Sequence, residues 1–364
     1  MGLSCGIVGL PNVGKSTIFN ALSNAGAQVA NYPFCTIDPN VGIVPVPDPR
    51  LKDISDLIHP DKITPNSLEI LDIAGLVKGA SQGEGLGNKF LSHIRQVDAI
   101  LHVVRCFEDP DVAHVSGTVD PLRDIETIHT ELALADLETL NKRIEKNEKL
   151  SKTGSKEAKE ELEVLKILQA GLNQGKMIRN LSLSSAQKEI LKELFLLTSK
   201  PVLYVANVLE GESATDSAFV LTVKDLAQKE GAQVVKICGK VEAELMALSQ
   251  DERKEFLKEL GISEPGLHQL IRTSKKLLNL RTFFTAGKQE VRAWTILAGM
   301  KAPQAAGVIH SDFEKGFIRA ETYHYNDLMK YKTEVEIKAH GLLRLEGKDY
   351  EIQDGDILYF RFNV

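Results

Sequence analysis

Gly9-Leu-Pro-Asn-Val-Gly-Lys-Ser-Thr17 is the stretch of sequence that decides the fold of this chain. It fits the pattern G-x-x-x-x-G-K-S/T, and it stands between an apolar run and the helical Ile18-Phe-Asn-Ala-Leu22, as a phosphate-binding P-loop requires. The glycines let backbone N–H groups surround phosphates, and the Lys15 amine reaches the β- and γ-phosphates, where it would assist catalysis. The sequence therefore predicts a nucleotide site at Asn12, Val13, Gly14, Lys15, Ser16 and Thr17.

Three oxygen donors are predicted to form a magnesium site. The Ser16 hydroxyl would bind Mg²⁺ directly, and the Asp72 carboxylate, at the end of an apolar run, would hold the ion through water. Thr36, between the first helix and the second strand, would supply another oxygen. A chance strand-ending turn at Asp72 and an ordinary loop threonine at Thr36 are the alternatives.

The segment after Asp72 is rich in glycine, with Gly75, Gly79, Gly83, Gly85 and Gly87. Such a backbone has little reason to hold one conformation without a ligand, so we expect a nucleotide-dependent switch here. Leu76 stands where many P-loop GTPases carry a water-orienting glutamine, and a leucine cannot orient water. His114, in the polar segment after the fourth strand, is our candidate for that catalytic role as a neutral imidazole. An exposed loop histidine without a catalytic role is the alternative.

The base-reading segment departs from the guanine-specific pattern Asn-Lys-x-Asp. Both Asn-Lys pairs of the chain lack the aspartate, and Asn207-Val-Leu-Glu210 ends the fifth strand instead. Adenine has no N1–H and no 2-amino group for a carboxylate to grip, whereas an asparagine amide can bond its N6/N7 edge. We therefore expect Asn207, Val208 and Glu210 to contact the base, and ATP to be preferred over GTP.

The composition limits the class of protein. A net charge of −6 argues against a chain that is basic throughout, so contact with nucleic acid would need a local patch. The four cysteines form no CxxC pair, which argues against a disulfide framework or a zinc site and favours a reducing compartment. No apolar run reaches the roughly 18 residues of a membrane span, and the first residues indicate a strand rather than a signal peptide. We expect a soluble, cytoplasmic protein.

Alternating apolar runs and helical stretches predict a mostly parallel α/β sheet. The proline-rich Pro45-Val-Pro-Asp-Pro49 follows the second run and predicts that this strand lies at an edge. Residues 121–200 carry three- and four-residue apolar spacing and predict an inserted helical hairpin that turns at 152–155. From about Thr282 onward, alternation predicts a small α+β module. The expected domains are 1–120 with 201–281, then 121–200, and finally 282–364.

These motifs together resemble the YchF family, the bacterial counterparts of the eukaryotic Obg-like ATPase 1. The resemblance covers the whole chain and includes the P-loop, Asn31-Tyr-Pro-Phe-Cys-Thr36, Asp72-Ile-Ala-Gly-Leu-Val77, Asn207-Val-Leu-Glu210 and Asp312-Phe-Glu-Lys-Gly-Phe-Ile-Arg-Ala320. It implies an OBG-type G domain, a coiled-coil-like helical insertion and a C-terminal TGS domain of ubiquitin-like β-grasp shape. It also implies an ATPase, a catalytic histidine matching His114, association with ribosomes (the large subunit or the 70S particle) and regulation of translation or stress responses.

Other readings stay open at this stage. A P-loop kinase acting on a small molecule is the alternative function, and a scaffold that binds nucleotide for stability is a third. Lysines spaced along the hairpin, or the TGS domain, are candidates for RNA contact, although interleaved glutamates also fit a solvated face. We expect a monomer. Asn12 is predicted to hold K⁺ beside the phosphates, with a turn-stabilising asparagine as the alternative.

Overall fold

The computed structural model describes residues 3–27, 40–73, 86–112 and 114–363. These residues divide into two compact units. The first comprises Met1–Ile43 and Glu69–Leu270, and the second comprises Val44–Leu68 and Ile271–Val364. Thr36 and the glycine-rich segment from Gly75 to Gly85 lie outside the described residues.

Among the described residues, six strands form the sheet that carries the P-loop. They are β1 (Ser4–Val8), β2 (Val41–Pro45), β4 (Ser67–Asp72), β5 (Ala99–Arg105), β6 (Val202–Asn207) and β7 (Gln233–Ile237). Their order is β2-β4-β1-β5-β6-β7, and the pairings from β4 through β7 are parallel. Every residue of β1, β5 and β6 is buried, as expected for central strands of a parallel sheet. The parallel α/β sheet and the edge position of β2 are therefore confirmed.

Helices alternate with these strands along the chain. Their bounds are α1 (Lys15–Ala27), α3 (Leu86–Gln96), α7 (Ala218–Glu230), α8 (Gly239–Ala247), α9 (Gln250–Glu259) and α10 (Gly266–Leu277). Because parallel strands end at the same edge of a sheet, the carboxyl ends of β1, β4, β5, β6 and β7 lie at one edge. This edge holds the predicted site residues that the structure describes.

The predicted helical hairpin is present. Its long helices are α4 (Pro121–Lys152) and α5 (Lys156–Asn173), and α6 (Ser185–Lys192) follows. The side chain of Asp120 caps α4, that of Ser155 caps α5, and Ser184 forms a capping box with Gln187 at the start of α6. Leucine and isoleucine side chains from both long helices form one buried apolar cluster, which includes Leu140, Ile144, Leu165 and Leu168. No helix among the described residues is long and apolar enough to span a bilayer.

A second sheet organises the C-terminal unit. Its strands are β3 (Lys62–Thr64), β8 (Leu280–Ala286), β9 (Glu290–Leu297), β10 (Phe317–His324), β11 (Arg344–Glu346) and β12 (Asp356–Phe362), in the order β11-β10-β12-β8-β9-β3. The associated helices are α2 (Pro49–Ile58), α11 (Ala302–Ile309), α12 (Ser311–Lys315), α13 (Tyr325–Tyr331) and α14 (Glu334–Ala339). Neighbouring Phe283 and Phe284 join different apolar clusters, so both faces of this sheet are covered.

The two units differ in extent from the three predicted domains. Residues 44–68 were expected to belong with the P-loop domain, but they lie in the second unit. The physical reason is that β3 pairs in parallel with β9, through Lys62 with Glu290 and Thr64 with Arg292. The Thr64 hydroxyl also donates to the Glu290 carboxylate at 2.6 Å. The boundaries of the inserted helical domain and of the C-terminal domain stay predictions.

Candidate nucleotide-binding site

The P-loop joins β1 to α1 through a backbone that only some residues can adopt. Asn12 has φ 62° and Gly14 has φ 96°, both in the left-handed region, where glycine and asparagine are tolerated best. A β-carbon on Gly9 would lie 2.6 Å from the Val103 carbonyl oxygen of β5. The loop therefore needs these small or permissive residues to pass close to β5 and turn into the helix.

Lys15 lies inside the loop rather than in solvent. It is 8% exposed, and its Nζ donates to the Leu10 carbonyl oxygen at 2.6 Å. Burial lowers the pKa of Lys15 to about 8, and the nearby Asp72 carboxylate opposes this shift. Burial likewise raises the pKa of Asp72, and Lys15 opposes that shift. The two side chains thus attract each other electrostatically, and the Lys15 ammonium group also donates to a backbone carbonyl oxygen.

Asn207 connects three segments at the edge of the sheet. Its Nδ2 donates to the Val13 carbonyl oxygen at 2.9 Å, and its Oδ1 accepts from the Gly239 N–H at 3.0 Å. A β-carbon on Gly14 would lie 2.2 Å from Asn207 Nδ2. Asn207 is 5% exposed. Its amide therefore braces the P-loop against the start of α8, and its predicted contact with adenine stays a prediction.

A cavity of about 720 Å³ opens beside the P-loop. Its walls contain most of the predicted nucleotide-binding residues, namely Asn12, Gly14, Lys15, Ser16, Thr17, Asn207, Val208 and Glu210. Val13 is buried behind the wall. Asp72 and His114 are not among the lining residues. A cavity of this volume suits a ligand of nucleotide size.

Part of the cavity wall is formed by residues that were not predicted from the sequence. Phe107, Asp109 and Val112, from the segment after β5, line the cavity together with residues of the turn after β7. Arg105 shapes that segment: it is 1% exposed and donates to the carbonyl oxygens of Phe107, Asp109 and Val112 at 3.1, 3.2 and 2.9 Å. A charged residue at the end of a largely apolar strand was the available signal. The other unpredicted lining residues are Leu209, Gly211, Cys238, Gly239, Lys240 and Ala243.

Two of the three predicted Mg²⁺ ligands, Ser16 and Asp72, lie among the described residues. Ser16 is exposed in the first turn of α1, and Asp72 ends β4, where its neighbour in β1 is Ile7. A hydroxyl and a carboxylate are hard oxygen donors of the kind that Mg²⁺ prefers. Within the described part of the chain, no cluster of three or more His, Cys, Asp or Glu side chains could hold a metal ion.

His114 is not among the residues that line the cavity. Its side chain is 3% exposed, and Nε2 lies 2.8 Å from Oδ2 of Asp124, which is in the first turn of α4. Its Nδ1 accepts from the Ser116 N–H at 3.1 Å. The side chain is thus buried against Asp124 rather than exposed, and it is not part of the cavity lining. Its catalytic role stays a prediction.

Comparison with known proteins places these features in a family context. A family model described as "50S ribosome-binding GTPase" matches residues 4–207. A second model, for a YchF-type GTPase C-terminal region described as "Protein of unknown function (DUF933)", matches residues 280–363.

Individual proteins match over the full length. The chain is 57% identical to the Bacillus subtilis protein named "Ribosome-binding ATPase YchF" and 54% identical to that of Escherichia coli O157:H7, with 100% of each chain covered. The solved structure of the Schizosaccharomyces pombe YchF GTPase superposes with a TM-score of 0.91 at 41% identity, covering 99% of this chain and 98% of that one.

Proposed function

This chain belongs to the YchF family, and on that premise we propose that it is an ATPase that binds the ribosome. Its nucleotide state would act as the switch that controls ribosome binding. The observation that carries the proposal is that the P-loop lysine and the Asn207–Glu210 segment line the same cavity. The ribosome-binding ATPases to which the chain is similar at 54–57% identity support both parts of it.

We propose that the site selects ATP over GTP. Glu210 begins a short 3-10 helix, Glu210–Glu212, and lines the cavity where a guanine-specific protein would present an aspartate. Glu210 is one methylene longer than that aspartate, so its carboxylate would not meet the guanine N1–H and 2-amino group in the geometry that a guanine-specific site uses, and the preference for guanine over adenine would be lost. Asn207, Val208 and Glu210 would surround the base.

Lys15 would supply the principal positive charge to the phosphates. Its ammonium group donates to a carbonyl oxygen, and phosphate oxygens are stronger acceptors. The charge would stabilise the transition state as negative charge spreads over the phosphoryl oxygens. Backbone N–H groups at the start of α1 would add to this stabilisation.

Magnesium and potassium are proposed as cofactors. Ser16, Thr36 and Asp72 would hold Mg²⁺, with Asp72 acting through water, and the ion would neutralise charge on the β- and γ-phosphates. Asn12, at the cavity wall, would hold K⁺ through its side-chain oxygen. His114 would orient the attacking water once its segment has moved to the phosphates.

The proposed partner is the ribosome, as the large subunit or the 70S particle, bound by a cytoplasmic monomer. RNA contact through the hairpin or the C-terminal domain is part of this proposal. Several hairpin lysines have acidic partners, for example Lys142 with Glu138 and Lys166 with Glu148. Paired lysines of this kind contribute less to phosphate binding than free ones, so the remaining lysines of the hairpin would contribute most to a contact with RNA.

Co-sedimentation with purified ribosomes tests the partner and the switch together. The protein is spun with 70S ribosomes or isolated subunits in ADP, ATP or a non-hydrolysable ATP analogue, and the pelleted fraction is measured. We expect the pelleted fraction to depend on the nucleotide and this dependence to vanish in Lys15→Met. Equal pelleting in all three nucleotides would contradict the switch, and no pelleting above the ribosome-free control would contradict the partner.

A further inference from the structure

The segment between β5 and α4 is fixed at both of its ends by buried side chains. Arg105 binds carbonyl oxygens of its first half, as described above. Its second half is held through His114, whose side chain lies against Asp124 of α4. Asp124 is 4% exposed, and its Oδ1 lies 3.4 Å from Nη2 of Arg123. The His114–Asp124 pair is therefore shielded from water and attached to the base of the hairpin.

The hydrogen bonds of His114 define its protonation pattern. Because the Ser116 N–H donates to Nδ1, that nitrogen carries the lone pair. Nε2 then carries the hydrogen, which the Asp124 carboxylate accepts at 2.8 Å. Both ring nitrogens are thus engaged inside the protein. No lone pair of this imidazole is left to accept a proton from water.

Moving His114 out of this position has a cost. The move breaks a hydrogen bond to a charged acceptor. Among the described residues, it leaves the nearly dry Asp124 carboxylate with a partly exposed arginine as its side-chain partner. Such bonds are among the stronger ones in proteins, because a buried charge without its partner is destabilised. The bond therefore favours the conformer in which His114 is outside the nucleotide cavity.

From this geometry we infer that Asp124 is a positioning residue that holds His114 away from the phosphates and restrains ATP hydrolysis. The inference rests on the proposed ATPase activity, because it assigns a restraint to that activity. Hydrolysis would require the segment after β5 to release His114 from Asp124. Since Asp124 lies in the first turn of α4, the hairpin is the element through which such a release could be linked to a bound partner.

Single-turnover ATP hydrolysis in substitution variants tests the restraint. We expect Asp124→Ala to hydrolyse bound ATP faster by on the order of tenfold, because the restraining bond is lost. Asp124→Asn keeps the shape and an acceptor oxygen, so a smaller increase is expected. Asp120→Asn is the matched control: it removes a negative charge at the same helix terminus, keeps a good N-cap residue and should change the rate by less than about twofold.

A double substitution separates the restraint from a merely structural role. If Asp124 acts through His114, then Asp124→Ala should produce no acceleration in a His114→Ala background. ATP affinity should stay within a few-fold in every variant. An unchanged or lower rate in both Asp124 variants, with ATP affinity intact, would overturn the inference, and so would an equal acceleration in the absence of His114.

A measurement without nucleotide keeps this inference separate from the proposed function. NMR signals of the ring ¹⁵N atoms of His114 should show the Nε2–H form in the wild-type protein. These signals should change in Asp124→Ala but not in Asp120→Asn. An Nδ1–H form in the wild-type protein would overturn the contact. A wild-type protein that shows the expected ring signals but hydrolyses no ATP would instead refute the proposed function.

Discussion

Asn207 donates a hydrogen bond to the Val13 carbonyl oxygen at 2.9 Å, across 194 positions of sequence. The same amide accepts from Gly239, so one side chain at the end of β6 ties together the P-loop and the turn before α8. The base side and the phosphate side of the cavity are thus mechanically connected. A residue chosen from the sequence as a reader of the base is also a support for the phosphate loop.

This support predicts the effect of Asn207→Ala. Two buried hydrogen bonds are lost, each contributing about 1 kcal/mol, so the affinity for ATP should fall by at least about tenfold. Because the support serves the phosphates, GTP, ADP and ATP should all be affected. Asn141→Ala, in the exposed hairpin, is the control and should leave affinity unchanged. Calorimetric titration with the three nucleotides measures these affinities. An ATP affinity of Asn207→Ala equal to that of the wild type would exclude a role of Asn207 in supporting the P-loop.

Gly14→Ala should damage the site through contact as well as backbone strain. The added carbon would meet Asn207 Nδ2 at 2.2 Å, so the loop or Asn207 must move. Gly154 in the hairpin turn has a similar φ of 94° but no neighbour within 4 Å. Gly154→Ala therefore isolates the strain, about 1 kcal/mol.

Thermal unfolding and ATP titration of these two variants distinguish the contributions. We expect Gly154→Ala to lose some stability and bind ATP normally. Gly14→Ala should lose ATP binding by at least about a hundredfold. Similar ATP affinities in the two variants would show that the close approach of Gly14 and Asn207 does not contribute to ATP binding.

The pKa of Lys15 predicts a pH dependence of ATP binding. Burial lowers this pKa to about 8 in the free protein, and phosphate oxygens beside the amine would raise it again. At pH above about 8 the free protein therefore lacks a proton that the complex holds, so ATP binding should take up protons and weaken as pH rises to about 9.5. Calorimetry in buffers of different ionisation enthalpy measures this uptake. Lys15→Met should bind ATP weakly and without proton uptake. The same proton uptake in that variant would assign the proton to another group.

Potassium should accelerate hydrolysis if Asn12 holds the ion beside the phosphates. We expect a rate at least about threefold higher in KCl than in NaCl at equal ionic strength, because added positive charge stabilises the transition state. Asn12 has φ 62°, so Asn12→Gly removes the side chain without straining the backbone. This variant should lose the difference between the two salts. Equal wild-type rates in sodium and potassium would remove K⁺ from the account.

Local patterns made much of the fold predictable. The P-loop residues, the buried strands and the turn at 152–155 depend on nearby sequence, since glycine positions, hydrophobic periodicity and helix caps act over a few residues. The pairing of β3 with β9 was not predictable in this way. Lys62 and Ile63 are exposed in a three-residue strand, and its partner lies more than 200 positions away.

The site was predictable in its residue types but not in its contacts. Lys15 and Glu210 were identified from motif and position, and both line the cavity. The burial of His114 was missed because a polar loop usually lies in solvent, and nothing in that loop reveals that Asp124 lies beside the imidazole. Arg105 was missed for a related reason, since its partners are backbone carbonyl oxygens that have no signature in the sequence.

The central claim is that this P-loop site hydrolyses ATP in preference to GTP. Phosphate release by the wild-type protein from each nucleotide, over a range of concentrations, tests it most directly, with Lys15→Met as the background. We predict a kcat/KM for ATP at least about tenfold higher than that for GTP, and the loss of both activities in Lys15→Met. An equal or higher kcat/KM for GTP, or an ATP hydrolysis rate that survives Lys15→Met, would contradict the account.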